Sequence, residues 1–273
     1  MIKITFMGAG STVFLRNVLG DCIYTDALKG MEIALYDIDG QRLEQSAAIL
    51  EAINKGNGCP ASIRSYLGAE NRRKALSGAD FVINAIQVGG YDPCTITDFE
   101  IPKKYGLRQT IGDTLGIGGI MRALRTIPVL TDFARDMEEV CPDAWLLNYT
   151  NPMAMLTGAM LRMTSVKTVG LCHSVQVCAS TLLNELGMGY DDSVQWKIAG
   201  INHQAFYTEF LVNGKDAYPL IRKAVTERPE VYNEEIVRNE MFLALGYYVT
   251  ESSDHNSEYN AWFRKRPDLI EKY

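Results

Sequence analysis

The sequence predicts an α/β fold organised on a parallel sheet, and three observations predict it. Ile2 to Phe6 is a short apolar run that breaks at Gly8-Ala9-Gly10-Ser11. Directly after that break, Val13, Leu15, Val18, Leu19 and Cys22 recur at helical spacing. Further runs of strand length then alternate with helix-like stretches, the pattern of parallel strands joined by right-handed crossovers.

The elements follow in order. After the first strand, turn and helix comes Ile33-Ala34-Leu35-Tyr36, a strand ending at Asp37, and then a helix over Gln41 to Asn54. Ala79 to Ile86 supplies a third strand. A helix from about Ile120 to Val140, a strand at Trp145-Leu146-Leu147-Asn148, a helix after Pro152 and a strand at Thr168-Val169-Gly170-Leu171 continue the alternation. From Ser193 the pattern changes to a strand through Trp196 to Ala199, an alternating stretch over Ala205 to Val212 and a helix at Glu234 to Leu245. The chain therefore reads as a Rossmann-type parallel-sheet domain over residues 1–192, followed over 193–273 by the beginning of an α+β substrate domain.

Composition narrows the function. A chain of 273 residues, 47% hydrophobic, can bury a sizeable core. Its net charge of −6 and the lack of a clustered Lys/Arg tract argue against nucleic-acid or anionic-membrane partners. There is no export signal and no apolar run of bilayer length, so the expected location is the cytoplasm and the expected partner a small molecule. Six scattered cysteines without framework spacing suit a reducing compartment.

Glycines at a strand-to-helix junction let backbone N–H groups approach a pyrophosphate at a helix N-terminus. Gly8, Gly10 and Ser11 meet that need, although Val13 stands where the usual fingerprint has a third glycine. By itself the turn is equally well an ordinary tight turn. Asp37 tips the balance: an acidic residue closing the second strand accepts hydrogen bonds from ribose hydroxyls and repels a 2′-phosphate, favouring NAD over NADP.

Ligands of open α/β sheets sit beyond the carboxyl ends of the strands, and here those ends carry polar chemistry. Asn84 and Gln87 follow one strand, Asn148 and Asn151 another, and Cys172-His173 a third. Pro152 at a helix start would fix the backbone and leave both asparagine amides open to hydroxyl groups. Cys172 and His203 together begin a transition-metal site, against the plainer readings of a buried thiol and a satisfied core histidine. The glycine-rich stretch from Asp113 to Gly119 suits closure over a polar ligand or serves as a connector. Glu251, Asp254, His255, Glu258 and Tyr259 crowd together as proton-transfer candidates, or form a solvated acidic stretch.

Jointly, ITFMGAGS, DFVINAIQVGGYDPC, IGDTLGIGGIMRALRTIP, LNYTNPMAM, VGLCHSV, AGINHQAFY and LGYYVTESSDHNSEY resemble glycoside hydrolase family 4, the NAD- and manganese-dependent glycosidases, from residue 2 to the C-terminus. GGYDPCTITDFE, CHSVQ and TESSDH resemble its α-galactosidase branch most. The resemblance implies Cys172 and His203 as ligands of Mn²⁺, Asn151 as substrate-binding, and Gly8, Gly10 and Asp37 as the NAD site; by their places at the turn, the strand ends and the glycine-rich stretch, Asn148 and Asp113 join the substrate-binding candidates and Ser11, Asn84 and Gln87 the cofactor-binding ones. His173 is the implied acid candidate; phospho-glycosidase branches carry Asp there, which speaks against a 6-phosphate sugar. Family members are longer, so the second domain is expected to be incomplete here, and the full-length protein to be a homo-oligomer.

The implied reaction is hydrolysis of melibiose-like α-galactosides by C3 oxidation, C2 deprotonation, elimination, water addition and re-reduction. For the C2 base the TESSDHNSEY cluster offers Asp254, with Tyr259 second. An α-glucosidase or α-galacturonidase of the same family, an NAD-dependent dehydrogenase and an inactive NAD-binding fragment are the competing expectations.

Overall fold

The structure, a computed structural model, describes residues 1–58, 61–111 and 114–273. The chain begins with β1 (Lys3–Met7), α1 (Thr12–Tyr24), β2 (Glu32–Asp37), α2 (Gly40–Gly56), β3 (Ser62–Leu67), α3 (Arg72–Leu76) and β4 (Phe81–Asn84). There follow α4 (Ile96–Lys103), α5 (Gly116–Val140), β5 (Trp145–Asn148), α6 (Met153–Met163), β6 (Lys167–Gly170) and α7 (Ser174–Glu185). The remainder is β7 (Val194–Ile201), β8 (Gln204–Val212), β9 (Lys215–Asp216), α8 (Tyr218–Glu227), α9 (Pro229–Glu234), α10 (Ile236–Leu245), α11 (Ser253–Tyr259) and α12 (Pro267–Lys272). These elements form two compact units: Met1–Thr97 with Gly119–Leu171, and Asp98–Gly118 with Cys172–Tyr273.

The first unit holds a six-stranded sheet in the order β3-β2-β1-β4-β5-β6, and every neighbouring pair is parallel. Successive side chains point to opposite faces. Ile4, Phe6 and Ile83 pack with Leu15 and Leu19 of α1 and Leu43 and Leu50 of α2. On the other face Val82 and Leu146 pack with Leu130, Ala134 and Met137 of α5 and with Leu156 and Met160 of α6. Burial on both faces is why β1, β2 and β4 read as nearly continuous apolar runs. β3 has no such signature: it is an edge strand with Ser62, Arg64 and Ser65 exposed.

In the second unit β7, β8 and β9 form an antiparallel sheet. A register shift between Lys197 and Ile198 lets both Tyr207 and Phe210 of β8 face inward. They pack with Ile221 and Val225 of α8, Phe242 of α10, and Cys178, Leu182 and Leu183 of α7. The change of pattern read at Ser193 thus marks the start of the antiparallel strands, while the compact unit also takes in Asp98–Gly118 and the chain from Cys172, with α7. No helix among the described residues is long and apolar enough to cross a membrane.

Candidate functional site

Within the first unit, Met7 leads from β1 into the glycine turn. Gly8 has φ +89°, and a Cβ there would lie 2.7 Å from the Ala85 carbonyl oxygen and 2.9 Å from the Ile86 nitrogen. Only glycine combines that backbone with so close an approach to the end of β4. The Gly8 and Ala9 amides both donate to the Tyr36 carbonyl, at 3.0 and 2.9 Å, which fastens the turn to β2. Asp37 stands beside it: its Oδ2 accepts from the Gly10 amide at 2.6 Å and its Oδ1 from Asp39 at 2.9 Å.

Helix α1 starts immediately after this turn, with no side-chain cap at Ser11 and no acidic residue in its first turn. An uncapped N-terminus carries positive potential and unsatisfied N–H groups, which is the chemistry a pyrophosphate requires. Val13, at the place of the third glycine, is exposed on α1. The turn, helix and Asp37 fit a dinucleotide.

The asparagines at the strand ends behave differently from one another. Asn84 and Asn148 face each other in register on β4 and β5, are fully buried, and join through Asn84 Nδ2 donating to Asn148 Oδ1 at 2.8 Å. Asn148 Nδ2 donates onward to Thr157 Oγ1 at 3.2 Å and to the Thr150 carbonyl at 3.3 Å. The expected open amide at Asn148 is therefore engaged inside the unit. Asn151 is partly exposed, and its Oδ1 accepts from the Met153 amide at 3.3 Å at the start of α6. Gln87 is exposed and donates to Thr95 Oγ1 at 3.2 Å.

In the second unit the structure brings Cys172 and His203 together, with Sγ 3.5 Å from Nε2. Cys172 precedes α7, and Ser174 turns back to it, its amide lying 3.5 Å and its Oγ 3.4 Å from the sulfur. His203 occupies the β7–β8 turn with a left-handed backbone, φ +62°. A non-glycine residue there carries strain of about 1–3 kcal/mol, of a kind that gathers at functional sites. Gly200 makes the hairpin possible, because a Cβ on it would lie 2.4 Å from the Gln204 carbonyl oxygen. Asn202, beside His203, keeps both its amide oxygen and nitrogen buried without a hydrogen-bond partner.

A third side chain arrives at His203 from far along the chain. The segment after α10 pairs with the start of β8: Tyr207 donates its amide to the Tyr248 carbonyl at 2.9 Å, and Thr250 donates to Ala205 at 2.9 Å. That pairing carries Glu251 level with the hairpin turn, where its Oε2 lies 3.2 Å from His203 Nε2. Cys172, His203 and Glu251 place one donor atom each within 4.8 Å of one another. The sequence marked Glu251 only as one acid of a crowded stretch; its pairing partner on β8 left no local signal.

Helix α11 sorts the remaining candidates by face, since residues four apart share one. His255 and Tyr259 lie on one face, with the His255 ring 4.8 Å from that of His203 and 5.8 Å from that of Tyr259. Asp254 and Glu258 lie on the next. Asp254 is exposed. Glu258 Oε2 accepts from the Thr110 and Ile111 amides at 2.7 and 2.9 Å and from Thr110 Oγ1 at 2.8 Å, so α11 anchors the chain just ahead of the glycine-rich stretch. His173 is exposed at the N-cap of α7. Asp113 lies outside the described residues.

The donor set of thiol, imidazole and carboxylate is that of a divalent transition-metal site, and the first unit's glycine turn is that of a dinucleotide site. Residues 3–188 match the family 4 glycosyl hydrolase profile, and residues 198–273 match the profile of that family's C-terminal domain. The chain belongs to glycoside hydrolase family 4. It is 58% identical over 272 residues to an alpha-galactosidase of Bacillus subtilis, covering 99% of this chain and 62% of that protein. It is 38% identical to an alpha-galactosidase of Rhizobium meliloti, over 99% of this chain and 55% of that protein. The chain therefore spans only some three-fifths of the length of these relatives. In fold it resembles a 6-phospho-alpha-glucosidase from gut microorganisms solved in complex with NAD and Mn²⁺, with a TM-score of 0.78 at 18% identity over 94% of this chain and 60% of that one.

Proposed function

We propose that this chain belongs to an α-galactosidase that hydrolyses melibiose-like substrates by oxidation at C3, deprotonation at C2, elimination, water addition and re-reduction. The observation that carries this reading is the 3.5 Å approach of Cys172 Sγ to His203 Nε2, two metal-donor types 31 residues apart in the chain. The preference for galactose rests on the similarity to the Bacillus subtilis alpha-galactosidase.

A bound NAD would supply reversible hydride chemistry at C3, without net consumption of the dinucleotide. The divalent ion, when bound, supplies Lewis-acid polarisation of the oxidised sugar. Gly8, Gly10 and Ser11 would hold the pyrophosphate at α1 and Asp37 the ribose, with Asn84 and Gln87 bordering that site. Cys172 and His203 would hold Mn²⁺, and Asn151 would bind sugar hydroxyls. Asp254 is proposed as the C2 base with Tyr259 second; Asp254 is exposed on one face of α11, and Tyr259 shares the neighbouring face with His255, whose ring lies 4.8 Å from that of His203. His173, exposed at the N-cap of α7, would protonate the departing glycosidic oxygen.

The test uses the full chain with NAD, Mn²⁺, a reductant and an aryl α-galactoside. A glycosidase of this kind releases the phenol with no net NADH; a dehydrogenase accumulates NADH; normal NAD binding without turnover leaves a binding module only. Solvent-deuterium exchange at substrate C2 tests the base: Asp254→Asn should lose it, and exchange at the wild-type rate would transfer the role to Tyr259.

A further inference from the structure

We propose that Glu251 is a third protein ligand of the divalent ion, which makes the metal centre a Cys172–His203–Glu251 triad. The proposal rests on the metal reading above and adds to it a residue at the far end of the second unit's chain.

Two of the three separations are those of neighbouring donors on one ion, and all three donor atoms lie within 4.8 Å of one another. Metal–donor bonds of about 2.0–2.3 Å meeting at roughly 90–110° leave neighbouring donors about 3–3.6 Å apart. Nε2 of His203 stands 3.5 Å from Cys172 Sγ and 3.2 Å from Glu251 Oε2. A ring nitrogen offers either one N–H or one lone pair in its plane. A single N–H serves a sulfur and a carboxylate oxygen together only as a shared, weakened bifurcated bond, whereas an ion among the three engages all of them.

Glu251 is also held as a ligand is held. Its Oε1 accepts from the Ser252 amide at 2.9 Å, which leaves Oε2 directed to His203. Ser252 is in turn fixed by its Oγ contact with His255 Nδ1 at 2.6 Å. Behind the side chain, the Glu251 carbonyl accepts from Arg238 Nε and, at 2.9 Å, from Asn256 Nδ2, while Arg238 also donates to the Thr250 carbonyl at 2.8 Å. Such outer hydrogen bonds orient the ligands of metal sites.

Charge points the same way. The side chains of His203 and Glu251 are only 7% and 12% exposed, and a carboxylate taken out of water needs a compensating partner. Thiolate, carboxylate and neutral imidazole together balance a dication. The carboxylate also supplies the hard oxygen donor that Mn²⁺ favours over sulfur.

The experiment uses Co²⁺ as the probe in the full chain, because thiolate-to-cobalt charge transfer reports Cys172 and the ligand-field bands report the whole donor set. In Glu251→Gln the charge-transfer band should persist, the ligand-field bands should change, and Co²⁺ and Mn²⁺ should bind at least about tenfold more weakly by calorimetry. Circular dichroism establishes that the variant is folded; if it is not, Glu251→Asp, which draws the carboxylate back by one methylene, should alter the same bands. Ligand-field bands unchanged in the folded variant, at any affinity, would place Glu251 outside the coordination sphere and overturn the proposal, leaving the metal at Cys172 and His203. Retention of the charge-transfer band in Cys172→Ser, or no Co²⁺ binding by the unaltered chain, would overturn the metal reading itself and the triad with it.

Discussion

Gly8→Ala is the sharpest test of the dinucleotide turn, because Gly30 supplies an internal control. Both glycines have left-handed backbones, φ +89° and +82°, but a Cβ at Gly8 meets Ala85 and Ile86 backbone atoms at 2.7 to 2.9 Å, while a Cβ at Gly30 meets nothing within 4 Å. The backbone conformation costs an L-residue about 1–2 kcal/mol at either place. Forcing a methyl into an occupied space adds about 1–3 kcal/mol at Gly8 alone, since the atoms it strikes belong to the chain leaving β4 and not to a flexible side chain. For a unit of this size that excess lowers the melting temperature by roughly a further 2–12 °C. Thermal melts by circular dichroism compare the two variants, and calorimetric titration with NAD follows binding. Gly8→Ala should melt well below Gly30→Ala and lose NAD, and Gly30→Ala should keep it. If the two melt together, the close approach to β4 is not what demands glycine, and the reasoning fails.

Two further outcomes follow from burial. Burial, and then the nearby Glu235, push the Glu185 carboxyl from 4.5 up to about 7, and neither of its oxygens has a hydrogen-bond partner. The folded state therefore holds this proton more tightly than the unfolded state, so stability falls as pH rises from the unfolded value towards the folded one and is level above it. Glu185→Gln should raise the melting temperature at about pH 8 and leave it nearly unchanged at about pH 4; an equal effect at both would refute the assignment. Burial also pushes the Cys141 and Cys178 thiols up to about 11, which shields them from alkylation. Cys172, only partly buried, should be labelled by iodoacetamide in the chelated protein and protected by Mn²⁺, as read by peptide mass mapping. Labelling indifferent to the ion would count against a metal-bound sulfur.

The first unit was largely legible because two local signals coincide there. Strands buried on both faces must be apolar throughout, as in Ile4 to Phe6 and Ile33 to Leu35, and a turn pressed against a neighbouring strand must be glycine, as at Gly8. β3 escaped the same reading because an edge strand needs only one apolar face, and Ser62, Arg64 and Ser65 look like loop. α11, only seven residues long, also carried too short an apolar period to stand out.

What the sequence determined by itself is the chemistry available: a glycine turn between strand and helix, a cysteine, a histidine, and acids gathered near residue 251. What only the tertiary structure decided is which of these meet. Asn148, read as open, is engaged by Asn84 because parallel register sets the two strand ends opposite each other. Glu251, read as one of several acids, reaches His203 because the chain after α10 pairs with β8. Register and cross-chain pairing are set by hydrogen bonds between segments remote in sequence, and no local window of residues contains both partners.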